Sequence, residues 1–157
     1  MSARRILAFL IALTPAAIAA ASTPPPPVPP APILTLASSV VKASNTDDEA
    51  LLARLYTGDA TVVDEIPPFV WRGAGAGVAW WRAVEAFTKT KHVRLKLVDV
   101  RISEFQRSST AAYLIQPMTI LELGDGQPSS ESGTMTYTFH NDGGRWLISS
   151  QVWATKP

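Results

Sequence analysis

The stretch Leu51–Phe87, LLARLYTGDATVVDEIPPFVWRGAGAGVAWWRAVEAF, decides the fold of this 157-residue chain. It opens with the apolar end of a helix and continues into a short strand at 60–66 (ATVVDEI). Pro67 and Pro68 end that strand, because proline cannot donate a hydrogen bond to a sheet ladder. A second short strand, a glycine-containing turn and an amphipathic helix at 78–88 complete a unit against which a larger sheet can pack.

Two helices are predicted at or before the start of this unit. Residues 33–44 place apolar side chains close to helical spacing, and Asn45 interrupts them. Thr46 and Glu49 have the spacing of a capping box, which predicts that a second helix begins there and ends at Gly58.

Downstream of the last helix the hydrophobic period changes to two. Residues 93–97 alternate apolar and basic side chains, and the parity of the pattern changes near 97–99, which predicts a β-bulge. Long strands at 110–123 and 132–140 follow, and a last strand carries Trp146. The first of these contains a proline that marks a bend or an edge, and a hairpin turn precedes the last.

The predicted element order is α-α-β-β-α-β-β-β-β, which is an α+β fold. Long consecutive strands that are bulged and bent are expected to curl. We therefore predict a cone-shaped, curved sheet, mixed or antiparallel, packed on three N-terminal helices, with a hollow between the sheet and the helices.

The N-terminus is typical of a secretory signal over residues 1–21. Arg4 and Arg5 precede an apolar run at 6–13 that is too short to span a bilayer, and small residues suited to cleavage follow. An N-terminal anchor helix is the alternative interpretation. The signal predicts an exported protein, periplasmic or secreted, with no stable membrane anchor after cleavage.

Residues 22–32 (STPPPPVPPAP) predict a semi-rigid proline-rich tether, and residues 33–157 predict a single domain. The chain has no cysteine, which excludes disulfides, thiol catalysis and cysteine-based zinc sites. Removal of the signal would lower the 14 basic residues to 12 against 13 acidic ones, so the formal charge would change from +1 to −1. A near-neutral domain gives no electrostatic reason to expect nucleic acid as a partner.

This element order, together with LYTGDATVVDEIPPFVWRG, WWRAV and the terminal GGRWLISSQVW, resembles the nuclear transport factor two-like superfamily, in its SnoaL-like and ketosteroid isomerase-like branch. The resemblance covers residues 33–153 and specifies the fold better than the activity, since this fold hosts enzymes, binders and adaptors alike. In ketosteroid isomerases an aspartate on the first short strand is the general base, and the resemblance puts Asp64 at that position. Their oxyanion hole uses a tyrosine and a protonated aspartate. The corresponding positions fall near Val40 and Thr136, and neither side chain can replace them.

Asp64 is the candidate catalytic residue. A carboxylate that faces an apolar hollow has a raised pKa and can accept a proton from a substrate. Two structural alternatives are a solvent-facing side chain and a pair with Arg72.

Aromatic side chains are the candidates for ligand contact. We name five of them: Tyr56, Trp71, Trp81, Tyr113 and Tyr137. Trp71 and Trp81 are favoured because each lies off the main apolar stripe. For Trp80 and Trp146 we expect ordinary core packing.

We expect no metal and no cofactor. The two histidines, His92 and His140, have no carboxylate at metal-ligand spacing. The glycines at 73–77 lack the spacing and setting of a dinucleotide fingerprint.

The function that these observations favour is a binding or accessory domain with an apolar pocket for a small molecule. The alternative is an isomerase, lyase or cyclase that uses Asp64 as a general base on a hydrophobic polycyclic substrate. A pure scaffold, with side chains filling the hollow, is a third possibility. A homodimer is expected through the open face of the sheet, to which we assign five residues: Thr134, Thr136, Thr138, Leu147 and Trp153.

Overall fold

The computed structural model describes residues 28–156. The predicted signal and most of the predicted tether lie outside the described residues. Between residues 28 and 156 no helix has the length and apolar character needed to cross a membrane.

Three helices and seven strands make up the described residues. In chain order they are α1 Ala31–Thr46, α2 Glu49–Leu52, β1 Tyr56–Val63, β2 Val70–Arg72, α3 Ala76–Thr90, β3 Val93–Val98, β4 Glu104–Arg107, β5 Ala111–Gly124, β6 Ser129–Asp142 and β7 Arg145–Thr155. The strands form one sheet in the order β2-β1-β7-β6-β5-β3, and β4 also pairs with β5. β1 runs parallel to β7, and the other pairs are antiparallel. The predicted α+β cone is confirmed.

Alternation along the long strands separates the two faces of the sheet. Leu114 and Tyr137 lie opposite each other on β5 and β6, and both are buried. Their sequence neighbours, such as Ile115 and Thr136, point to the other face and are half-buried. Trp153, predicted on that open face, lies on the buried face instead, because β7 pairs it with the buried Met135.

The second helix is shorter than the sequence predicts. α2 is a single turn, and its N-cap is Asp48, whose Oδ1 accepts a hydrogen bond from the backbone N–H of Leu51 over 2.8 Å. The predicted cap, Thr46, ends α1 and donates its hydroxyl to a carbonyl of that helix. The chain turns at Asp47, where φ is 55°, so the cap lies two residues further on. Gly58, predicted to end this helix, lies inside β1.

Two side-chain contacts hold the short helical connection in place. Asn45, predicted to interrupt the first helix, lies inside α1, where its amide accepts from the Leu97 N–H over 2.8 Å and donates to the Leu97 carbonyl over 3.0 Å. Arg82 of α3 donates two hydrogen bonds, of 2.7 and 2.6 Å, to the Glu49 carboxylate of α2. The end of α1 is thereby fixed to β3, and α2 is fixed to α3.

The predicted bulge near residues 97–99 is wrong, because the strand breaks there. Val98 at the end of β3 pairs with Thr119, and Glu104 at the start of β4 pairs with Ile115. The segment from Val98 to Glu104 spans six residue steps but lies opposite only four residue steps of β5, so two extra residues loop out. The break starts at Asp99, directly after β3, where the backbone φ is 52°. Pro117 lies opposite it and accepts a hydrogen bond from the backbone of residue 101, so its missing N–H falls where the ladder is already irregular.

Candidate functional site

A cavity of about 340 Å³ lies between α3 and the buried face of the sheet. Its lining is largely apolar and comes from the loop after β1, from α3, and from β3, β5, β6 and β7. The apolar and aromatic members are Ile66, Trp80, Trp81, Val84, Phe87, Leu95, Leu97, Ile120, Met135 and Trp153. We call this space the Asp64 cavity, after the buried acid in its wall.

Asp64 follows the last residue of β1 and is 7% exposed. It shares a face with the buried Val62, so alternation along β1 directs its side chain toward the helices. Its Oδ2 accepts a hydrogen bond from Trp80 Nε1 over 2.7 Å, and its Oδ1 accepts one from the Ile66 N–H over 3.2 Å. The Arg72 guanidinium donates to Thr61 on the surface instead, over 3.3 Å.

Burial raises the pKa of the Asp64 carboxyl above its ordinary value. The hydrogen bonds from Trp80 and from the Ile66 backbone act in the opposite direction, because they stabilise the charged form. The neighbouring Glu65 carboxylate adds a smaller upward contribution. The site therefore holds an acid whose proton affinity is increased in an apolar setting, which is a property of general bases.

The remaining charged groups of the lining are mostly acidic. Glu65, Glu122 and Glu131 contribute carboxylates, and Lys91 contributes one ammonium. The Thr155 hydroxyl lies 2.6 Å from a Glu65 oxygen and 2.9 Å from a Glu131 oxygen, so both acids lie beside one hydroxyl, whose single proton can be donated to either. The cavity therefore presents a negative rim to an approaching ligand.

The structure brings Trp81 to the Asp64 cavity but places two of the proposed tyrosines deeper, outside its lining. The Tyr56 hydroxyl donates to Gln151 Oε1 over 2.5 Å, and burial raises the pKa of Tyr56 well above its ordinary value. Tyr137 faces Gln151 across β6 and β7, and its hydroxyl has no hydrogen-bond partner within residues 28–156. Both are buried core residues, and neither lines the Asp64 cavity.

Trp71 and Tyr113 also lie outside the lining of the Asp64 cavity. Trp71 is buried opposite Val62 on the β1–β2 pair. Tyr113 points to the other side of the sheet, where it lines an open groove of about 670 Å³ together with exposed polar side chains such as Arg107 and His140. That groove is larger, but none of the described residues along it is a buried acid or base.

Three important cavity residues escaped the sequence argument. The sequence predicts ordinary core packing for Trp80, yet its indole N–H donates a hydrogen bond to Asp64. The sequence places Leu97 and Met135 on strands and predicts no functional role for them, yet both line the cavity. The available signal was helical spacing, since Trp80 and Val84 lie one turn apart on the α3 face that points to the sheet.

The described residues contain no group of three or more His, Cys, Asp or Glu side chains arranged to hold a metal ion. His92 and His140 are both exposed and lie outside the Asp64 cavity. The chemistry that this site offers is hydrogen bonding and proton transfer by a carboxyl group.

The sequence profile of the SnoaL-like domain matches residues 31–152. The chain belongs to the SnoaL-like family. This places it in the nuclear transport factor two-like superfamily, as the sequence motifs predicted.

Solved structures share the fold of this SnoaL-like domain at low identity. A ketosteroid isomerase-like protein from Erwinia carotovora atroseptica is 17% identical with a TM-score of 0.66, covering 81% of this chain and 96% of that one. A type 2 hexachlorocyclohexane dehydrochlorinase, LinA, is 16% identical with a TM-score of 0.65, covering 81% and 84%. The type 3 enzyme from Novosphingobium barchaimii is 16% identical with a TM-score of 0.64, covering 81% and 86%. No curated protein matches significantly. Sequence identities this low establish a shared fold only. The activity has to be inferred from the side chains of the site.

Proposed function

We propose that this SnoaL-like domain binds a small, mostly apolar molecule in the Asp64 cavity. The observation that carries the proposal is a buried carboxylate in an otherwise largely apolar wall. A volume of about 340 Å³ lies within the range of ordinary ligand sites, roughly 300–1,000 Å³. The apolar lining supplies the affinity, and Asp64 supplies a fixed polar contact that orients the ligand.

The charge of the lining restricts the ligand further. Four carboxyl groups and one ammonium face this space, so an anionic ligand is repelled. A neutral molecule with a hydroxyl or amine donor, or a hydrophobic amine, can instead donate a hydrogen bond to Asp64. We therefore expect carboxylic acids to bind more weakly than alcohols or amines that have the same apolar skeleton.

The second candidate function is an isomerase, lyase or cyclase acting on a hydrophobic polycyclic substrate, with Asp64 as the general base. The raised pKa of Asp64 favours it, because a carboxylate in an apolar setting accepts a proton more readily. In the proposed step Asp64 takes a proton from a substrate C–H, and the C–H electron pair forms a new double bond as a leaving group departs or a carbonyl becomes an enolate. The dehydrochlorinases among the similar structures show that elimination enzymes occur on this fold.

A thermal-shift screen with matched steroid-like alcohols, amines and carboxylic acids tests the binding proposal. We expect alcohols and amines to raise Tm, and Ile120→Trp to abolish the effect because it narrows the cavity. Leu123→Trp is the control, since this residue lies three positions further along β5, is 40% exposed and lies outside the cavity lining. The proposal fails if no ligand raises Tm, or if both variants respond like the wild type.

The substitution Asp64→Asn separates binding from catalysis. Asparagine keeps the shape and can still accept from Trp80, but it cannot take a proton. Product analysis by mass spectrometry that shows turnover in the wild type and none in Asp64→Asn supports the enzyme. If both proteins bind the ligand and neither converts it, only the binding function is supported.

We also propose a homodimer through the open face of the sheet. The half-buried Ile115, Thr136 and Val152 lie on that face, where a second copy would remove them from water. Light scattering should give twice the monomer mass. Thr136→Arg should give the monomer, whereas Thr46→Arg at the exposed end of α1 should stay dimeric. A wild-type monomer at micromolar concentration contradicts the proposal.

We propose finally that residues 1–21 export the protein, and that it acts in the periplasm or outside the cell. Expressed with its own N-terminus in a bacterial host, the protein should be recovered outside the cytoplasm with a mass that lacks this segment. Leu10→Arg interrupts the apolar run and should leave an uncleaved protein in the cytoplasm. Full-length wild-type protein in the cytoplasm contradicts export.

A further inference from the structure

The acids that line the Asp64 cavity have no cationic partner within residues 28–156. The lining holds the ammonium of Lys91 and four carboxyl groups, of Asp64, Glu65, Glu122 and Glu131. Two ion pairs occur in the described part of the chain, and neither includes an acid of this lining. We call the last three acids the rim acids. The negative charge of the cavity is therefore not balanced by the described residues.

Asp64 is the acid for which the lack of a cation costs most. It is 7% exposed, whereas the rim acids are half-buried or exposed. Its hydrogen bonds come from two uncharged groups, the Trp80 indole and the Ile66 backbone. Buried charges in proteins are ordinarily paired with an opposite charge. A ligand that carries a positive charge into the cavity supplies such a pair.

Two of the rim acids compete for one hydroxyl. Thr155 Oγ1 lies 2.6 Å from Glu65 Oε2 and 2.9 Å from Glu131 Oε1. The single hydroxyl proton can be donated to only one of these oxygens at a time. Like charges this close repel each other, and a nearby cation relieves that repulsion.

The apolar part of the lining suits an organic cation. Trp80, Trp81, Phe87 and Trp153 supply four aromatic rings. Aromatic rings attract cations, and quaternary ammonium groups are bound in this way because their charge is weakly hydrated. One such contact exists at this cavity, where Lys91 Nζ lies 4.4 Å from the centroid of the Phe87 ring.

We propose that the Asp64 cavity selects an organic cation, an apolar molecule that carries one ammonium group and needs no N–H donor. Asp64 and the rim acids attract the positive charge, and the aromatic side chains contact the apolar part of the molecule. This inference rests on the function proposed for the cavity. It goes further because it ranks a cation above a neutral molecule of the same shape.

Two probes of the same shape test this ranking. They are meta-hydroxyphenyltrimethylammonium and meta-tert-butylphenol, which share the phenol hydroxyl and differ by a positive nitrogen in place of a carbon. Nuclear magnetic resonance titration, at a pH where both phenols stay protonated, gives the two dissociation constants. We expect the cation to bind at least about tenfold more tightly.

The Asp64 carboxyl group reports the position of the charge without any variant. A cation close to Asp64 stabilises its ionised form, whereas a neutral ligand does so only through its hydroxyl group. The pKa of Asp64, followed through its ¹³C carboxyl signal, should therefore be lower in the complex with the cation than in the complex with the neutral probe.

Charge variants should change the affinity for the cation in opposite directions. Lys91→Gln removes the one positive group of the lining and should strengthen cation binding, whereas Lys42→Gln on the exposed side of α1 should not. Glu131→Gln should weaken cation binding, whereas Glu104→Gln, outside the lining, should not. Each effective change should be roughly twofold to fivefold, as for a partly exposed charge. The affinity for the neutral probe should stay the same throughout.

The results separate this proposal from the function on which it rests. If the neutral probe binds as tightly as the cation, or if the Asp64 pKa is the same in both complexes, the cavity binds ligands but does not select a cation. Cation binding that survives Ile120→Trp also overturns the proposal, because the cation then lies outside the cavity. If neither probe binds, the proposal fails, and the steroid-like ligand screen decides the binding function separately.

Discussion

The indole N–H of Trp80 donates to Oδ2 of Asp64 over 2.7 Å. The contact joins α3 to the end of β1 and satisfies one oxygen of a buried acid. It also opposes the burial that raises the pKa of Asp64, because it stabilises the ionised form. The protonation state of the acid in this cavity thus depends on a balance between burial and one tryptophan.

Trp80→Phe should raise the pKa of Asp64 further. The substitution removes the strongest hydrogen bond to the carboxylate and leaves the burial in place. The ¹³C shift of the Asp64 carboxyl group, followed across a pH titration, measures the change. Trp81→Phe is the control, since its indole N–H has no partner within the described part of the chain. An equal pKa in wild type and Trp80→Phe would show that the hydrogen bond has no influence.

Asp64→Asn should change how stability depends on pH, with a sign fixed by the raised pKa. Below the ordinary pKa of about 3.8, Asp64 is protonated in both the folded and the unfolded chain. Its ionisation then makes no contribution to the free energy of unfolding. As pH rises through the raised folded-state pKa, the unfolded chain ionises more readily, and the wild type loses stability. The stability of Asp64→Asn relative to the wild type should therefore increase as pH rises above about pH 4, and the increase should end once Asp64 is ionised in the folded wild type as well.

Urea denaturation of both proteins at a series of pH values measures this difference, because groups that do not interact with Asp64 contribute equally to both. A difference that stays flat, or that falls with pH, contradicts the raised pKa.

The residues around Asp64 show how far the sequence argument reached. Strand alternation and the proline stop predicted the order of elements around it, and the superfamily resemblance singled out Asp64 itself. The predicted face of Trp153 is wrong, because alternation along a strand shows only which residues share a face. Pairing of β7 with β6 decides which of the two faces is buried. The sequence argument also misplaced the helix cap, because Thr46 and Asp48 both suit a cap and only the turn at Asp47 decides between them.

The buried hydrogen-bond partners inside the domain could not be predicted from the sequence, for a related reason. The Tyr56–Gln151 contact spans 95 residues, and the Asn45–Leu97 contacts span 52. Contacts this distant along the chain depend on how the sheet curves around the helices, and no local pattern records that curvature. The aromatic residues could therefore be identified from the sequence. Which of them line the cavity and which belong to the core could not be predicted from it.

Tyr56→Phe should destabilise the domain, whereas Tyr137→Phe should not. Tyr56 donates a hydrogen bond to Gln151, so its loss leaves a buried acceptor unpaired and should lower the free energy of unfolding by about 1–3 kcal/mol. The Tyr137 hydroxyl is buried and, within residues 28–156, unpaired, so its removal should be neutral or should raise that free energy by up to about 1 kcal/mol. Chemical denaturation of the two variants tests the pair. Equal destabilisation by both would show that Tyr137 has a partner.

Gly77→Ala should destabilise the domain even though alanine favours helices more than glycine does. Gly77 lies in the first turn of α3, and a Cβ added there would come within 2.1 Å of the Tyr56 ring. Alanine gains about 1 kcal/mol in helix propensity, but overpacking a buried ring costs about 1–3 kcal/mol. Because the Tyr56 ring is buried and hydrogen-bonded to Gln151, it cannot move aside freely, so the overpacking cost should exceed the gain.

Gly58→Ala is the matched control for Gly77→Ala, because a Cβ at this position in β1 meets no atom within 4 Å among the described residues. Thermal denaturation should give a lower Tm for Gly77→Ala and little change for Gly58→Ala. In the double variant Gly77→Ala with Tyr56→Leu, the smaller side chain makes room for the new methyl group. The Gly77→Ala substitution should then cost less than it does alone. If the cost is the same in both backgrounds, the destabilisation does not come from the Tyr56 ring.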